Sequence, residues 1–173
     1  MLTRLGAPAP AEDAVGLLLE CHGRIRTFVA VARRIAAADP CERAGLADAA
    51  ARVARYLREA LPLHALDEEQ SVLPRLQGRA AAVDEALAEM AREHRDHERP
   101  LAAVVAACDE LAAHPDRLDV VAPALARAAA ELDAHFVRHL KSEESVIFPA
   151  MRLLLSREDD AAIVRELRAR RGS

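Results

Sequence analysis

The chain has 173 residues and a formal net charge of −4, with acidic and basic side chains interspersed and no concentrated Lys/Arg face, which argues against a nucleic-acid partner. Hydrophobic residues make up 52% of it, yet no segment reaches the roughly 20 uncharged residues of a membrane span, and the opening stretch MLTRLGAPAPAEDAVGLLLE lacks a long apolar run. A single cytoplasmic domain over residues 1–173 is expected, without membrane association; the scarcity of aromatics and the abundance of Ala, Leu, Arg and Glu point to an all-α fold.

Apolar residues recur at steps of three and four in four segments, as in helices that each bury one stripe. The first is predicted from about Glu12 to Ala38, with Leu18, His22, Ile25 and Val29 inward, and Asp39-Pro40 stops it. The second, from about Arg43 to Pro74, turns Val53, Leu57, Leu61, His64, Glu68 and Val72 inward. The third, from about Val83 to Ala113, aligns Leu87, Met90, His94, His97, Leu101 and Val104, and ends at His114-Pro115. The fourth, from about Val120 to Leu154, aligns Leu125, Leu132, His135, His139, Glu143 and Val146. Ser156 and the acidic run after it look like the cap and first turn of a short fifth helix, about 157–171, that packs outside or frays.

Short connections make the simplest arrangement an antiparallel up-down-up-down four-helix bundle, with its core over about 12–155. Pro62 and Pro100 fall inside helices, where each removes a backbone hydrogen bond and predicts a kink. Cys21, Cys41 and Cys108 are odd in number, with no CxxC, and read as small buried hydrophobes.

Two stretches carry the chemistry. HALDEEQSVLP, His64 to Pro74, and HLKSEESVIFP, His139 to Pro149, both place Glu-Glu four residues after a histidine and a proline ten residues after it. Four helical residues rise about 6 Å on nearly one face, so His64 with Glu68, and His139 with Glu143, can each present an imidazole and a carboxylate to one point. His22 and His94 occupy inward positions on the other two helices.

Four imidazoles and two carboxylates buried among Leu and Val would be costly alone, and cations remove that cost. Two bridging carboxylates with histidines at both ends suit a pair of ions about 3.5–4 Å apart. The thiolate-free donor set fits iron, with manganese or zinc as alternatives. Glu69 and Glu144 read as rim residues or as hydrogen-bond partners of the ligands. His97 and His135 lie about one turn from the ligand plane: His97 is expected as a fifth histidine ligand or a pocket-lining side chain, and His135 as a pocket-lining one. His114 is expected on the surface.

The order His, HxxxE, His, HxxxE, with the two HxxxEE…P segments, resembles the hemerythrin-like (HHE cation-binding) family from about Glu12 to Leu154. The resemblance implies a non-haem, oxo- or hydroxo-bridged di-iron centre, with Glu68 and Glu143 bridging and His22, His64, His94 and His139 as terminal ligands. It also implies a small diatomic ligand such as oxygen or nitric oxide, bound for sensing, storage or delivery. The alternatives are a di-iron enzyme acting on peroxide, oxygen or nitric oxide, and an iron-sensing module. Two features depart from the oxygen carriers: His94 and His97 are three apart rather than four, with Glu98 at the fourth place, and the last carboxylate is one step closer to its histidine. No particular protein partner is indicated.

Overall fold

The computed structural model describes residues 12–39 and 45–172, and every element among them is helical. The expected stop at Pro40, the start at Arg43 and the burial of Cys41 lie outside the described residues. Helix α1 (Ala14–Ala36) is capped by Asp13, whose carboxylate accepts the Gly16 N–H at 2.6 Å. Helix α2 (46–76) starts after Gly45, whose φ of 76° suits a residue without a Cβ. Helices α3 (Ala81–Ala113), α4 (118–154) and α5 (Arg157–Arg170) follow. No helix among the described residues is long and apolar enough to cross a membrane.

Three π turns interrupt α2 and α4 without ending them. They span Tyr56–Ala60, Glu68–Val72 and Glu143–Ile147, and in each the N–H just beyond the turn bonds the carbonyl five residues back: Leu61 to Tyr56, Leu73 to Glu68, Phe148 to Glu143. The next residue is always proline, at 62, 74 and 149. Proline has no N–H and its ring clashes with the carbonyl four residues back, so the chain widens the turn ahead of it. Helix α2 therefore continues past Pro74, its expected end, to Leu76. Pro100 provokes no such turn, and α3 runs through it as regular α-helix.

Side-chain contacts fall in reversed sequence order along neighbouring helices. Glu144 of α4 meets His22 of α1 while Asp133 meets Arg33; Glu69 of α2 meets His94 of α3 while Arg58 meets Asp109; Glu93 of α3 meets His139 while Arg99 meets Glu131. Between α1 and α2 the rings of Phe28 and Tyr56 stack at 4.0 Å.

Among the described residues the buried apolar side chains form two clusters. The first gathers Ile25 to Ile35, Leu46 to Leu61, Val104 to Leu111 and Leu118 to Leu140; the second gathers Ala14 to Leu18, Val72 and Leu76, Val83 to Met90 and Ile147 to Met151. On each long helix a band of histidine and glutamate separates the two. Helix α5 adds Ile163, Val164 and Leu167 to the second cluster, so it is packed rather than frayed. Its end is held as well: Arg170 and Arg171 grip the fully buried Asp67 of α2 at 2.9 and 2.6 Å, and Glu166 pairs with Arg75 at 2.6 Å.

Candidate metal centre

The polar band draws side chains from all four long helices. His22 comes from α1, His64 and Glu68 from α2, His94 from α3, and His139 and Glu143 from α4. Their ligand atoms form two groups, each with all atoms within 4.8 Å of one another: His22, His64, Glu68 and Glu143 in one, and His94, His139, Glu68 and Glu143 in the other. Both groups use the same two carboxylates.

The oxygens divide accordingly. Oε1 of Glu68 lies 3.4 Å from His64 Nε2 and 4.0 Å from His22 Nε2, while its Oε2 lies 3.2 Å from His94 Nε2. Oε2 of Glu143 lies 3.0 Å from His22 Nε2, and its Oε1 lies 3.1 Å from His139 Nε2. Each carboxylate thus offers one oxygen to either histidine pair.

Behind the imidazoles stand other acids. His22 Nδ1 is 2.8 Å from Glu144, His94 Nδ1 is 2.7 Å from Glu69, and His139 Nδ1 is 3.0 Å from Glu93. An ionised carboxylate can only accept, so each Nδ1 donates to its acid and each Nε2 is turned inward, where a cation can take the place of a proton. Arg26 steadies Glu144 at 2.8 Å. Sequence reading missed Glu93, which stands beside His94 in the chain but supports a histidine of another helix.

The inward atoms find no ordinary hydrogen bonds. Nε2 of His22, His64 and His94 and both oxygens of Glu68 and Glu143 are buried without hydrogen-bond partners among the described residues. Native interiors rarely leave so many polar atoms orphaned in one place. The donor set fits two cations, each with two imidazole nitrogens and two carboxylate oxygens.

With protons as the only cations, the band titrates unevenly. Burial, the largest influence, pulls His22 down, but Glu143, Glu68 and Glu144 together outweigh it and raise its pKa to about 10. His94 is likewise carried to about 9 against burial by Glu68 and Glu69. Burial wins at His64 and His139, which fall to about 4 and about 3. Glu143 is raised by burial and by the charge of Glu68; Glu68, despite its burial, is held low by the surrounding imidazoles.

His97 belongs to neither ligand group. It is three residues from His94, a rotation of about 60° around the helix, and its ring packs against His139 at 4.8 Å and Phe136 at 4.6 Å. Half-buried His135 lies 5.5 Å from the His97 ring, and His114 is exposed. His97 also lines a cavity of about 510 Å³ beside the band, whose wall includes His64, His94 and His139 as well as Leu61, Pro62, Leu101 and Phe136.

A helical protein that gathers His and Glu from four helices into two adjoining groups belongs to the cation-binding class. The model of the hemerythrin HHE cation-binding domain matches residues 13–150, and the chain belongs to that family. No curated protein matches it by sequence.

Proposed function

We propose that this is a non-haem di-iron protein that binds a small diatomic ligand, oxygen or nitric oxide, for sensing, storage or delivery. Support comes from one observation above all: Glu68 and Glu143 each direct one oxygen toward either histidine pair. His22 and His64 would hold one ion and His94 and His139 the other, with both carboxylates shared. Manganese and zinc are the alternative occupants for such donors. Two iron ions there would supply the electrons and the open coordination position that a diatomic ligand needs.

The chain's own residues do the rest. Glu144, Glu69 and Glu93 fix the tautomer and aim of three imidazoles, and the apolar clusters keep water from both sides of the band. His97 is assigned to the cavity wall, with His135 behind it. The reversed contact order along three of the helix pairs supports an up-down-up-down four-helix bundle in a single domain, with α5 as a short fifth helix. A cytoplasmic setting is carried over from the sequence.

Metal analysis combined with optical spectra before and after exposure to air tests this function. About two iron ions per chain, with a band that bleaches on reduction and returns with oxygen, is the expected result. Fully loaded protein that holds one ion would overturn the dinuclear site. The cavity beside the band favours a second reading, an enzyme acting on peroxide, oxygen or nitric oxide, and sustained turnover of peroxide or nitric oxide would select it. An iron-sensing module would instead show metal-dependent change without either activity.

A further inference from the structure

Helix α5 is fastened to α2 on both sides of the π turn that opens at Glu68. Ahead of the turn, Arg170 Nη1 donates to Asp67 Oδ1 at 2.9 Å and Arg171 Nη2 donates to Asp67 Oδ2 at 2.6 Å. Beyond it, both terminal nitrogens of Arg75 meet the Glu166 carboxylate, at 2.6 and 3.2 Å. The same Arg75 donates to the Ser71 carbonyl inside the turn at 2.8 Å. A turn widened ahead of a proline lacks a regular ladder, so what holds its two flanks helps set its shape.

A second fastening reaches α1. Arg171 Nη2 lies 3.8 Å from the Sγ of buried Cys21. Asp67 and Cys21 stand immediately before Glu68 and His22, two members of one ligand group. One guanidinium thus ties the chain just ahead of two prospective ligands from different helices.

Packing alone does not call for the ion pair. Asp67 is fully buried, and apolar replacements of buried ion pairs are often as stable or more so. What a carboxylate held by two guanidiniums adds is a fixed register between the segments that carry it.

We propose that α5 is a latch on the cation site: Arg170 and Arg171, acting through Asp67, are positioning residues for Glu68 and His22, and a cation held there tightens the docking of α5 in return. The latch rests on the function proposed above only in taking Glu68 and His22 as cation ligands. Coupling of this kind is reciprocal, so docking strengthens cation binding by the factor by which the cation strengthens docking. Occupancy of a buried centre is thereby passed to an outer helix, whose Arg165 and Ala169 are exposed.

Zinc titration and amide hydrogen exchange, both on the 173-residue chain, test the latch; zinc probes the donor set without redox chemistry. Zinc is expected to slow exchange in α5 about tenfold or more, relative to residues 104–111 of α3, which report the stability of the bundle. In Arg170→Gln/Arg171→Gln that slowing should drop below about threefold, and zinc affinity should fall about tenfold. Charge alone predicts the opposite sign, since removing two positive side chains near a cation site raises its affinity. A helix that only adds stability would leave the zinc affinity of a folded variant unchanged. Glu166→Gln, which releases only the Arg75 pair, serves if the double variant does not fold, with a loss of affinity of about threefold. Affinity that is unchanged or higher in a folded variant, or loaded protein whose α5 exchanges as fast as in metal-free protein, would overturn the latch. Two iron ions on a chain whose α5 ignores them overturn the latch alone. Coupling to zinc in protein that holds no iron when isolated from iron-supplied cells overturns the di-iron function alone.

Discussion

Glu68 and Glu143 occupy equivalent places in two different helices. Each carboxylate spans an imidazole from either group, and each backbone carbonyl accepts the N–H five residues on, at the opening of a π turn. Removing either should therefore damage both ion sites at once. Glu68→Ala and Glu143→Ala are expected to leave fewer than one ion per chain by elemental analysis. Glu69→Ala and Glu144→Ala remove only a support behind one histidine, and should weaken affinity by about 10–100-fold while excess metal restores full occupancy. Equal losses in all four variants would contradict the division of roles.

Pro149 follows the π turn that begins at Glu143. Pro149→Ala returns an N–H to the ladder and lets the turn close into regular α-helix, which favours the fold but rotates Glu143 away from its partners. The metal-free variant is expected to melt higher, by a stabilisation of about 1–3 kcal/mol, while its metal affinity falls. A calorimetric scan with and without chelator reads both; affinity that stays constant would separate the π turn from the metal site.

Asp67 is fully buried between Arg170 and Arg171 and immediately precedes Glu68. Asp67→Ala strands two arginines at the α2 surface and should cost about 3 kcal/mol, near the lower end for breaking a buried pair because the arginines are partly exposed. A chain ending at residue 156 strands Asp67 instead and should be destabilised further, since it also uncovers the apolar surface beneath Ile163, Val164 and Leu167. Asp67→Asn should soften the effect of that truncation, because a neutral amide is cheaper to leave unpaired. Additive losses in the double variant would show that the ion pair and the helix packing act independently.

The metal-free protein should be most stable near pH 6.5. His64, His97 and His139 are held at about 4, about 4 and about 3 against a usual 6.5, so below that pH the unfolded chain takes up protons the folded chain refuses, and stability falls with falling pH. His22 and His94 are raised to about 10 and about 9, so above pH 6.5 the folded chain keeps protons the unfolded chain has lost, and stability falls with rising pH. Glu143, raised above the carboxylate range, adds to the alkaline loss. Cations must displace the protons of His22 and His94, so loading at pH 7 should release about two protons or more per chain. Thermal midpoints of chelated protein from pH 5 to pH 9 check the first part; a steady climb from pH 6.5 to 9 would contradict it. Calorimetry in buffers of different ionisation enthalpy counts the protons.

The six residues that converge were readable because a helix repeats its faces every 3.6 residues: a histidine on an apolar stripe points inward, and a glutamate four places on must follow it. The same rule marked Glu69 and Glu144, one step round, as rim residues, but it says nothing about which acid of one helix meets a histidine of another, and Glu93 was invisible for that reason. The prolines at a fixed distance were plain in the sequence, whereas the widened turns ahead of them depend on how the backbone relieves a clash. The docking of α5 depends on a contact between Asp67 and arginines more than 100 residues away, beyond any periodicity. Its modest apolar content gave no hint that its last turn would close over the chain beside Glu68.

The two apolar clusters lie above and below the polar band, and among the described residues neither offers a polar path to it along the bundle axis. Traffic must pass sideways, and among the described residues the broad approach is the cavity between α2, α3 and α4. A cation on its way in and a small molecule on its way to the same residues would then queue at one doorway, and whichever lodges there sets how fast the other can pass.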